Sequence, residues 1–256
     1  MAEALAAEDA EAARTARADL TGRAGLGGLA ARDWIRLDDL ARPFEGAGSP
    51  LSRITDWQRL LEDGPDLLAA VAGSMYQDGW IRQAAVEALA PVPDPVAAAA
   101  LAVRTADPVP QVSSAALKAV SDRTAARDLA AIVSIMLLLV PRRRGKILAQ
   151  RFLRSVAAGP PDRLGALANS PDRRTRLWAL AALGTRGLLE PDQLVTLATG
   201  DADPVVALWA ARRLLAGGQT LPPEQGARLL GSKRAEVRAV AEEVLGRRSN
   251  GYGHRA

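Results

Sequence analysis

Five segments of this chain repeat one nine-residue pattern of apolar and small residues. Each has alanine four positions after its first residue, and leucine or valine eight positions after it. The segments begin at Ile81, Val112, Thr175, Val206 and Val237. Residues four apart share one face of an α-helix, so each segment predicts a helix with one apolar face. Successive starts are 31, 63, 31 and 31 residues apart, which predicts a missing or degenerate copy in the long interval.

A second mark, a proline beside an acidic residue, opens a further apolar run in each repeat. The pairs are Pro65-Asp66, Asp94-Pro95, Pro161-Asp162, Pro191-Asp192 and Pro223-Glu224. Proline is tolerated at the first helical position, and an acidic residue is favourable at the positive end of a helix. We therefore expect each repeat to be two antiparallel helices of about 10–15 residues joined by short turns.

Acidic residues also lie near the starts of four patterned helices. They are Asp78, Asp107, Asp172 and Asp203. A carboxylate at this position can accept hydrogen bonds from the free backbone N–H groups of the first turn. We expect these four residues to cap their helices.

The repeat predicts an all-α chain with at least ten helices and no sheet. A period of about 30 residues is typical of an array in which each unit buries its apolar face against its neighbours. No stretch alternates apolar and polar residues with a period of two, so no strand is expected. The predicted organisation is an N-terminal helical extension (1–48, helical around 2–19 and 29–42), a repeat array (50–248) and a disordered tail (249–256).

Three of the repeats carry a family resemblance. The patterns are Asp172-x-x-Thr175-Arg176-x-x-Ala179, Asp203-x-x-Val206 and Val237-Arg238-x-x-Ala241. They resemble HEAT repeats, in particular the short class of about 30 residues found in bilin lyases. The resemblance covers about residues 65–248 and implies a right-handed α-α superhelix. It also implies that the repeat aspartate and arginine are structural, bonding to neighbouring repeats. The chain departs from the pattern where Ser113 and Ala207 replace the arginine and Arg234 replaces the aspartate.

Composition narrows the possible chemistry. The chain has no cysteine and a single histidine, His254, in the predicted tail, so neither thiol chemistry nor a zinc site is expected. We expect no enzymatic activity and no cofactor.

The N-terminus carries acidic residues and no continuous apolar stretch, which argues against a signal peptide. The longest apolar run, 129–140, is too short to span a bilayer. We expect a cytoplasmic protein without a membrane partner.

The degenerate copy is the first candidate for binding. Between Leu129 and Pro161 the chain has no acidic residue and six basic ones. We predict a helix opened by Pro141 and closed by Gly159, with its basic residues opposite an apolar face. The candidate binding residues are Arg143, Arg144, Lys146, Arg151 and Arg154. Two interpretations stay open, a solvated outer face and a site for nucleic acid, another polyanion or an acidic protein.

Tryptophan gives the second candidate. Trp178 and Trp209 occupy the same repeat position, 31 residues apart, at the edge of the apolar stripe. They are either space-filling residues or a partly exposed pair that contacts a ligand. We expect Trp34, Trp57 and Trp80 to be packing residues.

Three functions are compatible with these features. The favoured one is a non-enzymatic scaffold that binds a protein partner. The alternative is nucleic-acid binding, as in the HEAT-like DNA glycosylases for alkylated purines, although no local motif carries over their catalytic residues. The third is an accessory role like that of the bilin-lyase relatives.

Overall fold

A computed structural model of the chain describes residues 25–41, 66–143, 145–216 and 221–251, without the side chains of 244 and 246–251. In these ranges it contains thirteen α-helices, one 3-10 helix (Leu26–Gly28) and no strand, as the repeat predicts. The helices are α1 (Ala31–Ala41), α2 (Leu67–Ser74), α3 (Gly79–Leu89), α4 (Pro95–Arg104), α5 (Pro110–Ser121), α6 (Ala126–Leu139), α7 (Lys146–Ala158), α8 (Pro161–Ala168), α9 (Arg173–Thr185), α10 (Pro191–Gly200), α11 (Pro204–Ala216), α12 (Pro223–Leu230) and α13 (Ala235–Gly251).

The helices pair in the way that a helical repeat requires. Six consecutive pairs pack against each other: α2 with α3, α4 with α5, α6 with α7, α8 with α9, α10 with α11 and α12 with α13. Within each unit, helices of successive pairs also contact each other, as α3 does with α5, α4 with α6, α9 with α11 and α11 with α13. Within each unit, helix pairs that contact one another bury apolar surface between them, as in a helical repeat.

The chain divides after Ala158 into two compact units, residues 1–158 and 159–256. Each unit contains three of the six helix pairs. The division falls within the segment that the sequence predicts as one array. The first unit also includes α1, which lies in the predicted extension and packs against α4 and α6. Trp34 and Ile35 of α1 are buried in its core.

Helix α4 lies at the centre of the first unit. Every residue from Val96 to Arg104 is buried, and α1, α2, α3, α5 and α6 all contact the helix. A helix that is apolar all round can only be buried. Five of these nine residues are alanine, whose small side chain lets the neighbouring helices approach closely.

Most predicted helix starts are confirmed. Prolines occupy the first turn of α4, α8, α10 and α12, whereas Pro65 lies outside the described residues. Asp78 accepts a hydrogen bond from the N–H of Trp80 at 2.7 Å, and Asp172 accepts one from Thr175 at 2.8 Å. Asp203 accepts one from Val205 at 2.9 Å.

The prediction that Asp107 caps a patterned helix is wrong. Helix α5 begins at Pro110, and the N-cap residue Val109 provides no side-chain hydrogen bond. Asp107 is buried, accepts the N–H of Val109 and bonds to arginines of α3 and α4.

At the other end of the chain, α13 continues to Gly251 and so includes the first three residues of the predicted tail. The rest of that tail, with His254, lies outside the described residues, as do the predicted helix at 2–19, the linker around 45–50 and Trp57.

Candidate interaction surface

The degenerate copy of the repeat is helix α7. Gly145, Ala149 and Leu153 follow the nine-residue pattern, with glycine in place of the first apolar residue. The copy starts 33 residues after Val112 and 30 before Thr175, so its displacement from the 31-residue register hid it.

Two features require glycine at the start of this copy. Gly145 has φ of +82°, a conformation that only glycine adopts without cost. A Cβ at Gly145 would lie 2.8 Å from the Cβ of Ala106. The local entry to this copy therefore differs from the entries of the other copies.

The predicted faces of α7 are confirmed, whereas its predicted start is wrong. Ala149, Phe152 and Leu153 are buried, which fixes the apolar face. The helix begins at Lys146 and not at Pro141, because residues 141–143 and Gly145 lie in turns and bends. Arg143 consequently lies in the turn before the helix.

Four of the five predicted basic residues are exposed in the described part of the chain. They are Arg143, Lys146, Arg151 and Arg154, and Arg144 lies outside the described residues. None of the four has a carboxylate partner within 4 Å among the described residues, and the Nε of Arg154 donates to the carbonyl of Gln150 at 3.3 Å. We name these four residues, together with the exposed side of α7 from Lys146 to Arg154, the basic face of α7, to which Arg143 contributes from the turn before the helix.

The neighbouring Arg142 differs, because its guanidinium lies 3.6 Å from the carboxylate of Asp39. Both side chains are about half exposed, so this ion pair is weak, yet it removes one cation from the surface. The basic face of α7 thus retains its four charges without local compensation.

An isoleucine lies within the basic face of α7. Ile147 follows Lys146 and precedes Arg151 by four positions and Arg154 by seven, so it shares their side of the helix. It is 76% exposed. Its exposure is not predicted from the sequence, because apolar residues in the repeat are expected in the core. Its position in the repeat is the one feature of the sequence that indicates exposure. Ile147 comes two residues after the first residue of the pattern, which is not one of the three positions that the pattern assigns to the core.

The tryptophans occupy different environments. Trp178 and Trp209 are both half-buried, and Trp209 packs against the core of the second unit. Trp34 is buried, as expected, whereas the expectation that Trp80 packs is wrong. Trp80 is 79% exposed because it lies in the first turn of α3, one position before the buried Ile81.

In both units an arginine of the repeat pattern forms ion pairs with aspartates of the next repeat. Nε and Nη2 of Arg82 donate to the two oxygens of Asp107 at 2.8 and 3.0 Å. Nη2 of Arg176 lies 3.5 Å from the carboxylate of Asp201 and 3.6 Å from that of Asp203. Asp107 and Asp201 each come 25 residues after the arginine with which they pair. Each therefore lies just after the first helix of the following helix pair, α4 for Asp107 and α10 for Asp201.

In the first unit this pair is part of a buried ionic network. Nη1 of Arg104 donates to Asp107 at 2.9 Å, and its Nη2 pairs with Asp38 of α1. Arg104 is only 1% exposed, although it is among the most polar side chains. An open cavity of about 210 Å³ adjoins the network and is lined by Asp38, Asp39 and Arg142 among others.

Asp107 is held in its charged form. Burial by itself would raise the pKa of this carboxyl, but hydrogen bonds from Arg82 and from the Val109 N–H lower it, as do the charges of Arg104 and Arg82. The net pKa is below its ordinary value of 3.8. A carboxylate with all its lone pairs engaged and a lowered pKa is poorly suited to accept protons near neutral pH, so its role here is structural.

Comparison with protein-family models, with curated proteins and with solved structures finds no significant match. Within the described ranges, no helix combines the length and the apolar character needed to cross a bilayer. The function of the basic face of α7 must therefore be inferred from the residues of this chain alone.

Proposed function

We propose that this chain is a non-enzymatic scaffold that binds a protein partner in the cytoplasm through the basic face of α7. The helix pairs would continue as a HEAT-like, right-handed α-α superhelix. In such arrays the buried residues maintain the stacking, and the exposed residues of individual helices are free to vary for binding.

Charge supports the choice of surface. Arg143, Lys146, Arg151 and Arg154 carry four positive charges that no described carboxylate balances. A region of one sign attracts an acidic partner and increases its association rate. The opposite face of α7 is packed against the protein, so Lys146, Arg151 and Arg154 are held on a rigid element.

Ile147 is the observation that favours a protein over nucleic acid. An aliphatic side chain that is 76% exposed gains free energy only if a partner removes it from water. Protein interfaces bury such a residue at their centre and surround it with polar and charged residues. A phosphate backbone offers the arginines good contacts but gives an isoleucine no apolar pocket. We therefore expect a partner surface with an apolar pocket bordered by carboxylates.

A charge-removal variant tests the proposal. In the full chain, Arg143, Lys146, Arg151 and Arg154 are each replaced by glutamine, which keeps side-chain length and helix propensity. Partners are captured from native-host extract by the tagged wild type and by the variant, and are quantified by mass spectrometry. We expect the specific partner to fall at least tenfold, because the attraction of four charges is lost.

The matched control removes four exposed arginines that also lack a described partner: Arg127, Arg163, Arg174 and Arg212. It should capture the partner as the wild type does. Equal capture by both quadruple variants and the wild type would contradict the proposal. Capture of nucleic acid in place of protein, in a salt-dependent manner, would assign the surface to the alternative function.

A further inference from the structure

A second basic region, independent of α7, lies in the second unit. An open groove of about 760 Å³ runs between the ends of α10 and α12 and the segment that enters α13. Its lining residues are Thr199, Gly200, Arg228, Gly231, Ser232, Lys233 and Arg234. Three of the seven are cationic and none is acidic.

The cations of this groove are only partly engaged. Arg228 and Lys233 are exposed and have no hydrogen-bond or ion-pair partner among the described residues. Arg234 is half-buried, and its Nη2 donates to the backbone carbonyl of Asp201, which leaves its charge uncompensated. Arg238 fixes the same segment by donating to the carbonyl of Ser232 at 2.7 Å.

The groove also offers an unused hydroxyl donor. The Oγ of Ser232 accepts the N–H of Arg234 at 3.3 Å, and its own proton has no acceptor among the described residues. Ser232 is 5% exposed, so this donor is held in place by its surroundings. A group with several acceptor oxygens would satisfy it together with the two free cations.

The groove occurs where the last copy departs from the repeat. In the two preceding copies, Asp172 and Asp203 accept N–H groups of the first helical turn. Arg234 holds the equivalent position in the last copy, three residues before Val237. No described side chain accepts the N–H groups of Ala235, Glu236 and Val237, which follow the groove directly. A carboxylate has thus been replaced by a cation beside free N–H donors.

We propose that this groove binds a phosphate group of a small molecule or a phosphorylated peptide. A phosphate monoester carries about −1.5 to −2 charges at neutral pH and has three acceptor oxygens, whereas a carboxylate has one charge and two oxygens. Three cations and a hydroxyl donor therefore match phosphate better. Glu236 is exposed in the first turn of α13 and does not line the groove.

Calorimetric titration of the full chain tests this assignment with two probes, inorganic phosphate and a short neutral peptide that carries one phosphoserine. We expect wild-type protein to bind at least one probe, and binding by the peptide alone would identify a phosphorylated protein as the source. In R228Q/K233Q the dissociation constant should rise at least tenfold, because both free cations are lost. Neither residue bonds within the described protein, so the fold should be unaffected.

The control R127Q/R212Q removes two exposed arginines elsewhere and should bind within twofold of wild type. A second variant, Arg234→Asp, restores the aspartate of the repeat and should lose binding while remaining folded at the assay temperature, although it gives up the Arg234 hydrogen bond to the Asp201 carbonyl. No binding of either probe by the wild type would overturn the proposal, as would equal affinity in wild type and R228Q/K233Q. These results do not depend on α7, so the two proposals fail separately.

Discussion

At the scale of single residues, Asp107 determines how charge is accommodated inside the first unit. It receives hydrogen bonds from Arg82, Arg104 and the N–H of Val109. Arg104 lies at the end of a helix that is buried on all sides, so its guanidinium requires anionic partners within the protein. Asp107 and Asp38 provide them. The network joins α1, α3 and α4 by directional contacts, which the alanine-rich packing of α4 does not supply.

Replacing Asp107 with asparagine should strongly destabilise the protein. The change keeps the side-chain shape but leaves Arg82 and Arg104 buried with one anion fewer. Removing one partner of a buried ion pair costs about 3–5 kcal/mol in free energy of unfolding. Urea unfolding of the full chain measures this loss, and Asp122→Asn, at an exposed position, should change stability by less than about 0.5 kcal/mol.

The pH dependence provides a second measurement of the same prediction. The pKa of Asp107 is lower in the folded state than in the unfolded state, so its contribution is complete above the ordinary aspartate value of 3.8. The contribution is lost as the pH falls through the lowered folded pKa, because the carboxylate is then protonated in both states. The stability difference between wild type and Asp107→Asn should therefore shrink in acid. A loss below about 1 kcal/mol at neutral pH would show that the network is not required.

At the scale of helices, the sequence predicts features such as helix starts, which depend on residues close together in the chain. Prolines and capping aspartates mark helix starts because they satisfy the first turn from within a few residues. The pattern in α7 was hidden because Gly145 replaces an apolar residue and two additional residues precede it. The buried network could not be predicted, because Asp38 and Arg82 lie far from Arg104 and Asp107 in the sequence and the four residues form no recognisable motif. The 25-residue spacing of Arg82–Asp107 and Arg176–Asp201 was its one readable signal.

The entry to α7 leads to a prediction at this scale. Gly145→Ala should destabilise the protein by about 1–3 kcal/mol, since it places a Cβ at positive φ and against Ala106. Thermal or urea unfolding measures the change.

Substitutions at two other glycines distinguish the cost of the backbone conformation from the cost of the contact with Ala106. Gly187 also has positive φ, at +68°, but a Cβ there has nothing within 4 Å, so Gly187→Ala should cost only about 1–2 kcal/mol for the backbone. Gly165 lies inside α8 with open space around it, and Gly165→Ala should stabilise by about 0.5–1 kcal/mol. If Gly145→Ala cost no more than Gly187→Ala, close packing against Ala106 would not explain the glycine.

At the scale of the whole molecule, charge is nearly balanced but unevenly distributed. The chain has 33 basic and 29 acidic residues, for a net charge of +4. Many acidic residues are used at helix starts and in ion pairs with repeat arginines. The basic face of α7 and the groove beside α13 are therefore regions of positive charge on a nearly neutral chain. Binding of an anionic partner to either region should weaken as the ionic strength rises, because salt screens exposed charges over about 8–10 Å.

Ile147 distinguishes the proposed protein interface from a general attraction for anions. The direct measurement is the dissociation constant of the captured partner for wild type and Ile147→Ser. Because Ile147 is exposed, folding should change by no more than about 0.5 kcal/mol. As a control, Val205→Ser alters another exposed aliphatic residue and should leave the affinity unchanged. We predict that Ile147→Ser weakens binding about tenfold or more, as expected for the apolar centre of a protein interface. An affinity within twofold of wild type would contradict the account, because binding would then depend on charge alone.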